Sequence, residues 1–288
     1  MRSETVTDAR RSYNAAAPAS YPLEGQIEDT DLASPGPHRL IRSRPAGTTS
    51  SIAAVIYAPG GGWVLGDAES HLNISHKLAD LLACDVFTIG YRRAPEHKFP
   101  AAFNDVQQSI QTLTTALPKP ALAIVGDSAG ANLVAAATRH ARRVRPEPIV
   151  GTVLIYPALH AACGLRDNLS SNDELLTAHQ YEAYLDAYTS TEDRNDPRFD
   201  AFADHQTISR RPTHVVTVAS DPLKPQQHTY IELLRSLDID VTHTLIPDAP
   251  HGFLRYPDRY PAATAALGDI ASTIRRWFNH PKAVPPWS

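Results

Sequence analysis

The chain has 288 residues, enough for one large α/β domain or two small ones. Lys and Arg number 27 against 31 Asp and Glu, a formal charge of −4, and basic residues cluster only briefly, as at Arg142, Arg143 and Arg145. That excludes the basic stripe of a nucleic-acid binder, and a hydrophobic content of 42% excludes disorder for the bulk of the chain.

Residues 8–17 predict a short helix that Pro18 stops, 34–37 (Ser-Pro-Gly-Pro) a turn, and 38–43 a strand. From Ile52 an alternation takes over. Residues 52–57 read as a buried strand, and Leu72, His76, Leu78, Ala79 and Leu82 carry helical spacing within 69–83. A strand at 85–90, a helix at 101–117 and a strand at 121–125 follow. Next come an Ala-rich helix at 129–142 and a strand at 149–156. Continuous apolar strands alternating with helices predict a single α/β domain over 1–288. Its sheet is mostly parallel, with helices on both faces. The rhythm breaks at 158–205, which holds one predicted helix, 173–188, and reads as an insertion above the sheet. It resumes with a strand at 214–219, a helix at 226–237, a strand at 241–246 and a helix at 261–278.

Cys84 and Cys163 make no disulfide framework and fit no zinc spacing, which suits a reducing compartment. The polar run from Met1 to Asp8 lacks the apolar segment of a secretory signal. No stretch approaches the roughly 18 apolar residues of a membrane helix. The expectation is a soluble, cytoplasmic protein with no nucleic-acid or membrane partner.

Gly126-Asp127-Ser128-Ala129-Gly130 matches G-x-S-x-G between a predicted strand and a predicted helix, the context a nucleophile elbow requires. Small flanking residues permit the tight turn. Ser128 would then stand at the N-terminus of a helix, where developing negative charge is favoured. The bland alternative is an N-cap serine. Gly60-Gly61-Gly62-Trp63 follows the strand at 52–57. A phosphate loop fails here, because Asp67 rather than Lys follows Gly66. The dinucleotide fingerprint fails at Leu65. A glycine-rich loop followed by a serine elbow suits acyl transfer.

Serine hydrolases on parallel sheets carry nucleophile, acid and base in that order, beyond the carboxyl ends of strands. Asp221 follows the strand at 214–219, and His251 follows the strand at 241–246. His160 is the rival base and Asp248 the alternative acid. His214 and His243 fall inside strands, His179 in the insertion, and His228 on a helix that carries it away. In this scheme His251 takes the Ser128 proton and Asp221 fixes the imidazole tautomer and stabilises the imidazolium. Backbone amides hold the oxyanion, each worth about 3 kcal/mol.

Together these residues resemble the hormone-sensitive lipase family of α/β-hydrolases, in its bacterial esterase and acetyl hydrolase branch. The strings are Pro59-Gly60-Gly61-Gly62-Trp63, Tyr91-Arg92-Arg93-Ala94-Pro95-Glu96, Gly126 to Gly130, Ser220-Asp221-Pro222-Leu223 and His251-Gly252-Phe253. The resemblance spans Ile52 to Leu254. It implies an α/β-hydrolase fold with a small helical cap, here approximately 1–45 and 158–205. It implies a catalytic Ser128, Asp221 and His251, and oxyanion amides from Gly61, Gly62 and Ala129. It implies that 91–96 supports the site from beneath. Relatives often dimerise along the last strand, so a homodimer through 241–246 is an expectation.

Two departures stand out. Pro59 occupies the place of the family's histidine before the glycines, and proline rigidity is expected to hold the loop instead of a side-chain hydrogen bond. Lys224-Pro225-Gln226 stands where acidic residues are common in the family.

The activity this reading favours is hydrolysis of small, short-chain carboxylic (acetyl-type) esters, without metal or cofactor. Acyl transfer or N-acyl amidase activity at the same triad is the alternative, and a non-catalytic ligand-binding scaffold a further one. Trp63 is the candidate pocket residue, with Tyr181, Tyr184 and Phe253 as further wall candidates.

Overall fold

The computed structural model describes residues 5–16, 25–30, 39–48, 53–117, 121–140, 149–159 and 173–281. The turn at 34–37, His160, Cys163 and the arginines of 142–145 lie outside them. Eight strands form one sheet: β1 (Gly25–Asp29), β2 (Arg39–Pro45), β3 (Ala53–Ala58), β4 (Asp85–Gly90), β5 (Ala121–Asp127), β6 (Ile149–Ile155), β7 (Thr213–Val218) and β8 (Val241–Ile246). Their order is β1-β2-β4-β3-β5-β6-β7-β8. The β1–β2 and β2–β4 pairs are antiparallel and the others parallel. The described α-helices are α1 (Val6–Ala15), α2 (Leu72–Leu82), α3 (Ala101–Ala116), α4 (Ala129–His140), α5 (Ala178–Tyr188), α6 (Lys224–Ser236) and α7 (Ala262–Asn279).

The two-residue alternation of the strands divides the core into two layers. Ile56, Phe87, Ile124 and Leu154 point to one side, among residues of α3, α4 and α6 such as Phe103, Leu133 and Leu234. Val55, Tyr57, Val86, Val125 and Val153 point to the other, among residues of α2 and α7 such as Ile74, Leu78, Leu267 and Ile270. Helices thus cover both faces, which is why the central strands read as continuous apolar runs.

Three elements differ from expectation. β1 was not foreseen. Its sequence is polar and all but one of its residues are exposed. It is held at the sheet edge by ion pairs from β2, Arg42 to Glu28 and Arg39 to Asp29. Residues 1–45 are therefore not all cap, because β1 and β2 extend the sheet. The insertion helix starts at Ala178, not at 173. The Asp173 carboxylate accepts the amides of Leu175 (3.0 Å) and Leu176 (2.9 Å), so the backbone there turns instead of coiling. Thr177 and Gln180 then form a reciprocal capping box. Finally, Glu69–His71 is a 3-10 turn before α2 proper.

No helix among the described residues is long and apolar enough to cross a membrane. Among them, no group of three or more His, Cys, Asp or Glu side chains could hold a metal ion. Cys84 is buried, and burial pushes its thiol up to about 12.

Strand order brings two of the loops together. β4 leaves β3 on one side and β5 returns on the other, so β3 and β5 become parallel neighbours with Ala58 opposite Gly126. The glycine loop after β3 and the serine turn after β5 therefore emerge side by side at the carboxyl edge of the sheet.

Candidate active site

Ser128 is a one-residue turn between β5 and α4, with φ +53°. Few non-glycine residues adopt this left-handed conformation, and such strain gathers at functional sites. The turn is clamped from three sides. The Ser128 amide donates to the Ile155 carbonyl (2.8 Å), and the Ser128 carbonyl accepts from Asn132 and Ala158 (3.2 Å each). Glycine at 130 allows α4 to lie against β3: a Cβ there would sit 2.0 Å from the Ala58 carbonyl oxygen and 2.6 Å from that of Pro59. Gly130→Ala is expected to cost about 3 kcal/mol of stability, the upper range for overpacking. Urea denaturation checks this, and an unchanged midpoint would contradict the close approach.

Three of the foreseen side chains meet. The Ser128 hydroxyl lies 2.7 Å from His251 Nε2, and His251 Nδ1 lies 2.8 Å from Asp221 Oδ2. Ser128 and His251 are 123 positions apart in the chain. Asp221 is buried and further held by the Leu223 amide (2.7 Å) and the Gln227 side-chain amide (2.9 Å). Asp248, the alternative acid, is exposed. His228 is exposed on α6 against the half-buried His243, and His179 is exposed on α5. Burial opposes a charge on His251, but the Asp221 charge and its hydrogen bond, with Asp173 and Asp127 behind them, outweigh that. The His251 pKa is thereby held above its ordinary value.

The glycine loop is tightly folded. Gly61 has φ +111°, and a Cβ there would lie 2.1 Å from the Gly66 amide nitrogen. The amides of Val64 and Leu65 both return to the Gly61 carbonyl. Among the described residues, the amides of Gly61, Gly62 and Ala129 meet no backbone acceptor. All three residues line the same cavity as Ser128 and His251, with a volume of ≈ 300 Å³.

Contrary to expectation, side-chain hydrogen bonds help to secure this loop. Tyr91 donates to the Pro59 carbonyl (2.7 Å), and the Gly60 amide donates to Asp127 Oδ1 (2.7 Å). Arg10 from α1 donates to the Val64 carbonyl (2.7 Å) and Arg93 to that of Leu65 (2.7 Å). The 91–96 segment therefore does support the loop, through Tyr91 and Arg93.

Trp63 lines the cavity and is fully buried, stacked on Tyr188 at 5.1 Å and 6°. Tyr181 and Tyr184 also line the cavity. Phe253 does not: it is buried in the opposite core layer against Tyr156.

A family model described as the alpha/beta hydrolase fold matches residues 55–255. The chain belongs to this alpha/beta hydrolase family. It is 31% identical over 229 residues to an ethyl acetate hydrolase of Pseudomonas putida, spanning 76% of this chain and 71% of that one. A hyperthermophilic esterase from the archaeon Pyrobaculum calidifontis is similar with a TM-score of 0.85 and 28% identity, over 94% of this chain and 91% of that chain. An esterase from the bacterial hormone-sensitive lipase family also gives a TM-score of 0.85, at 22% identity over 96% of this chain and 93% of that chain. At that identity the likeness is one of fold. The resemblance drawn from the motifs agrees with these matches.

Within this alpha/beta hydrolase several supporting residues escaped the sequence. Asp173 accepts the His251 amide (2.7 Å) as well as those of Leu175 and Leu176, so it ties the insertion to the histidine loop. Asp127 takes the Tyr57 hydroxyl at 2.6 Å and has His71 Nε2 at 3.7 Å. Burial works against its charge, but His71 and the bonds from Tyr57 and Gly60 hold its carboxyl below the usual range. Its place beside the serine in the Gly126–Gly130 string was the available signal. The unusual 224–226 segment also finds a reason: Gln226 is fully buried and its side-chain Oε1 accepts the Leu159 amide (2.6 Å), while Lys224 Nζ donates to the Ala219 carbonyl (2.8 Å).

Proposed function

We propose that this chain hydrolyses small carboxylic esters with short, acetyl-type acyl groups, with Ser128 as nucleophile, His251 as base and Asp221 as its partner. The observation that carries the reading is the unbroken run Ser128 Oγ, His251 Nε2, His251 Nδ1, Asp221 Oδ2, with spacings of 2.7 and 2.8 Å, opening into the cavity. Oγ attacks the ester carbonyl carbon while His251 Nε2 takes its proton. The carbonyl oxygen becomes an oxyanion, held by the amides of Gly61, Gly62 and Ala129. The tetrahedral intermediate collapses, His251 returns the proton to the leaving alcohol, and an acyl-enzyme remains. Water, deprotonated by His251, then releases the acid and restores the serine.

Two facts support the substrate class. The cavity of ≈ 300 Å³ is at the small end for ligand sites, and Trp63, Tyr181 and Tyr184 give it an aromatic wall. The ethyl acetate hydrolase relative is named for a small acetyl ester. Hydrolysis of p-nitrophenyl esters from acetate to decanoate is the test. The expected result is the highest kcat/KM at acetate or butyrate and a steep fall by decanoate. A maximum at decanoate would overturn the short-chain reading. Among the described residues β8 is the last strand of the sheet, and its edge, where Leu245 is exposed, is the surface that a homodimer would use.

A further inference from the structure

Arg255 is an unusual wall for an ester-binding cavity. Its side chain belongs to one of the largest fully buried residues, 1% exposed, yet it lines the cavity together with Ser128 and His251. A short 3-10 turn, Phe253–Arg255, sets it four positions after the histidine. Among the described residues its hydrogen bonds go to neutral acceptors alone: the Tyr13 carbonyl (2.7 Å), the Tyr256 hydroxyl (3.2 Å) and the Ser70 carbonyl (3.4 Å). The guanidinium also lies 3.5 Å over the Tyr13 ring.

A buried cation without an anion is costly unless something compensates it. The buried carboxylates of the site, of which Asp127 also lines the cavity, make their hydrogen bonds to other groups. Asp221 holds His251, Leu223 and Gln227, Asp173 holds three backbone amides, and Asp127 holds Tyr57 and Gly60. Arg139 provides the contrast of a structural buried arginine. It is 2% exposed, directs its fork to the carbonyls of Asp200, Ala201 and Ala203, and forms no part of the cavity wall. Arg255 makes three hydrogen bonds with the five N–H donors of its planar fork, and it has a place on the reaction cavity. That fork matches a carboxylate or a phosphate, and a carboxylate is the smaller of the two for a cavity of ≈ 300 Å³.

We propose that Arg255, with Tyr13 and Tyr256 around it, is an anion subsite, and that the preferred esters carry a carboxylate away from the scissile bond. The inference rests on the ester-hydrolase reading above and specifies its substrate class. The Leu175, Leu176 and Tyr181 part of the wall takes the uncharged portion of the substrate.

The test uses pairs of esters that differ only in carboxylate against carboxamide. 4-Acetoxybenzoate and 4-acetoxybenzamide place the charge on the leaving side; monoethyl adipate and its ethyl adipamate counterpart place it on the acyl side. Each wild-type reaction consumes one water and releases one acid and one alcohol or phenol. The expected result is at least a tenfold higher kcat/KM for the carboxylate in one of the pairs, with that ratio falling toward one in Arg255→Gln. The ratio is taken on a single enzyme, so a general loss of activity in the variant cancels. Competitive inhibition of the wild type by 4-hydroxybenzoate but not by 4-hydroxybenzamide would support the same assignment without any variant. Equal or better turnover of the carboxamide in both pairs would overturn the proposal while leaving the esterase reading intact. Failure to hydrolyse these esters and p-nitrophenyl acetate alike would sink both.

Discussion

Ser128→Ala is expected to lower kcat for p-nitrophenyl acetate by about 10⁶-fold, the loss seen when a serine hydrolase loses its nucleophile. What remains comes from binding and from the amides around Gly61, Gly62 and Ala129, which do not depend on the hydroxyl. The substitution should leave the fold in place. The turn is held by backbone bonds, from the Ser128 amide to Ile155 and from Asn132 and Ala158 to the Ser128 carbonyl, and alanine keeps all three. Steady-state kinetics with a parallel thermal melt separates the two effects. Wild-type protein should also gain the mass of one organophosphonate group and the variant none. Residual activity above about one per cent of wild type, on protein free of contaminating esterase, would remove Ser128 from its role.

Asp221→Asn is expected to cost about 10⁴-fold in kcat through the histidine tautomer. The Asp221 carboxylate accepts from each of these partners: Oδ1 takes the Leu223 amide, and Oδ2 takes both His251 Nδ1 and the Gln227 side-chain amide. Asparagine has one oxygen and one NH₂ group, so at least one of these contacts becomes donor against donor. The cheapest relief is for His251 to move its proton to Nε2, where it can no longer accept from Ser128.

On the proposed mechanism the same pair sets the pH profile. His251 must be neutral to act as base, and its pKa is held above the ordinary histidine value by Asp221 against the opposing effect of burial. Activity of the wild type should therefore rise with pH through a midpoint above that of an ordinary histidine. In Asp221→Asn the midpoint should move down, because the charge is gone and the burial remains. Stability runs the other way. A raised folded-state pKa contributes stability that is fully present below the unfolded value and is lost as pH rises through the folded one. The melting difference between wild type and Asp221→Asn should accordingly be larger near pH 6 than near about pH 9. A variant midpoint equal to or above that of wild type would show that Asp221 does not govern this histidine.

Much of the architecture was legible because its signals are local. β4 runs Asp85–Gly90 as anticipated, and α3 and β8 match to within a residue, since continuous apolar strands and 3.6-residue spacing need no distant partner to be read. Ser128 was legible for the same reason: a strand, a tight small-residue turn and a helix are neighbours in sequence. Asp221 and His251 followed from being the polar groups just beyond two strand ends. β1 was not legible, because a polar edge strand owes its shape to Arg39 and Arg42 across the ladder and not to its own side chains.

The supporting residues lay further out of reach. Asp173 meets His251 across 78 positions, Tyr57 meets Asp127 across 70, and Arg255 meets Tyr13 across 242. Nothing at either end of such a pair announces the other. The sequence alone determined which residues could do acyl chemistry and that each would stand at the end of a strand. The tertiary structure decided which loops face one another, that side-chain hydrogen bonds help to secure the glycine loop, and that a buried arginine shares the cavity. Periodicity and turn chemistry act over a few residues, whereas these contacts depend on the order in which eight strands enter one sheet.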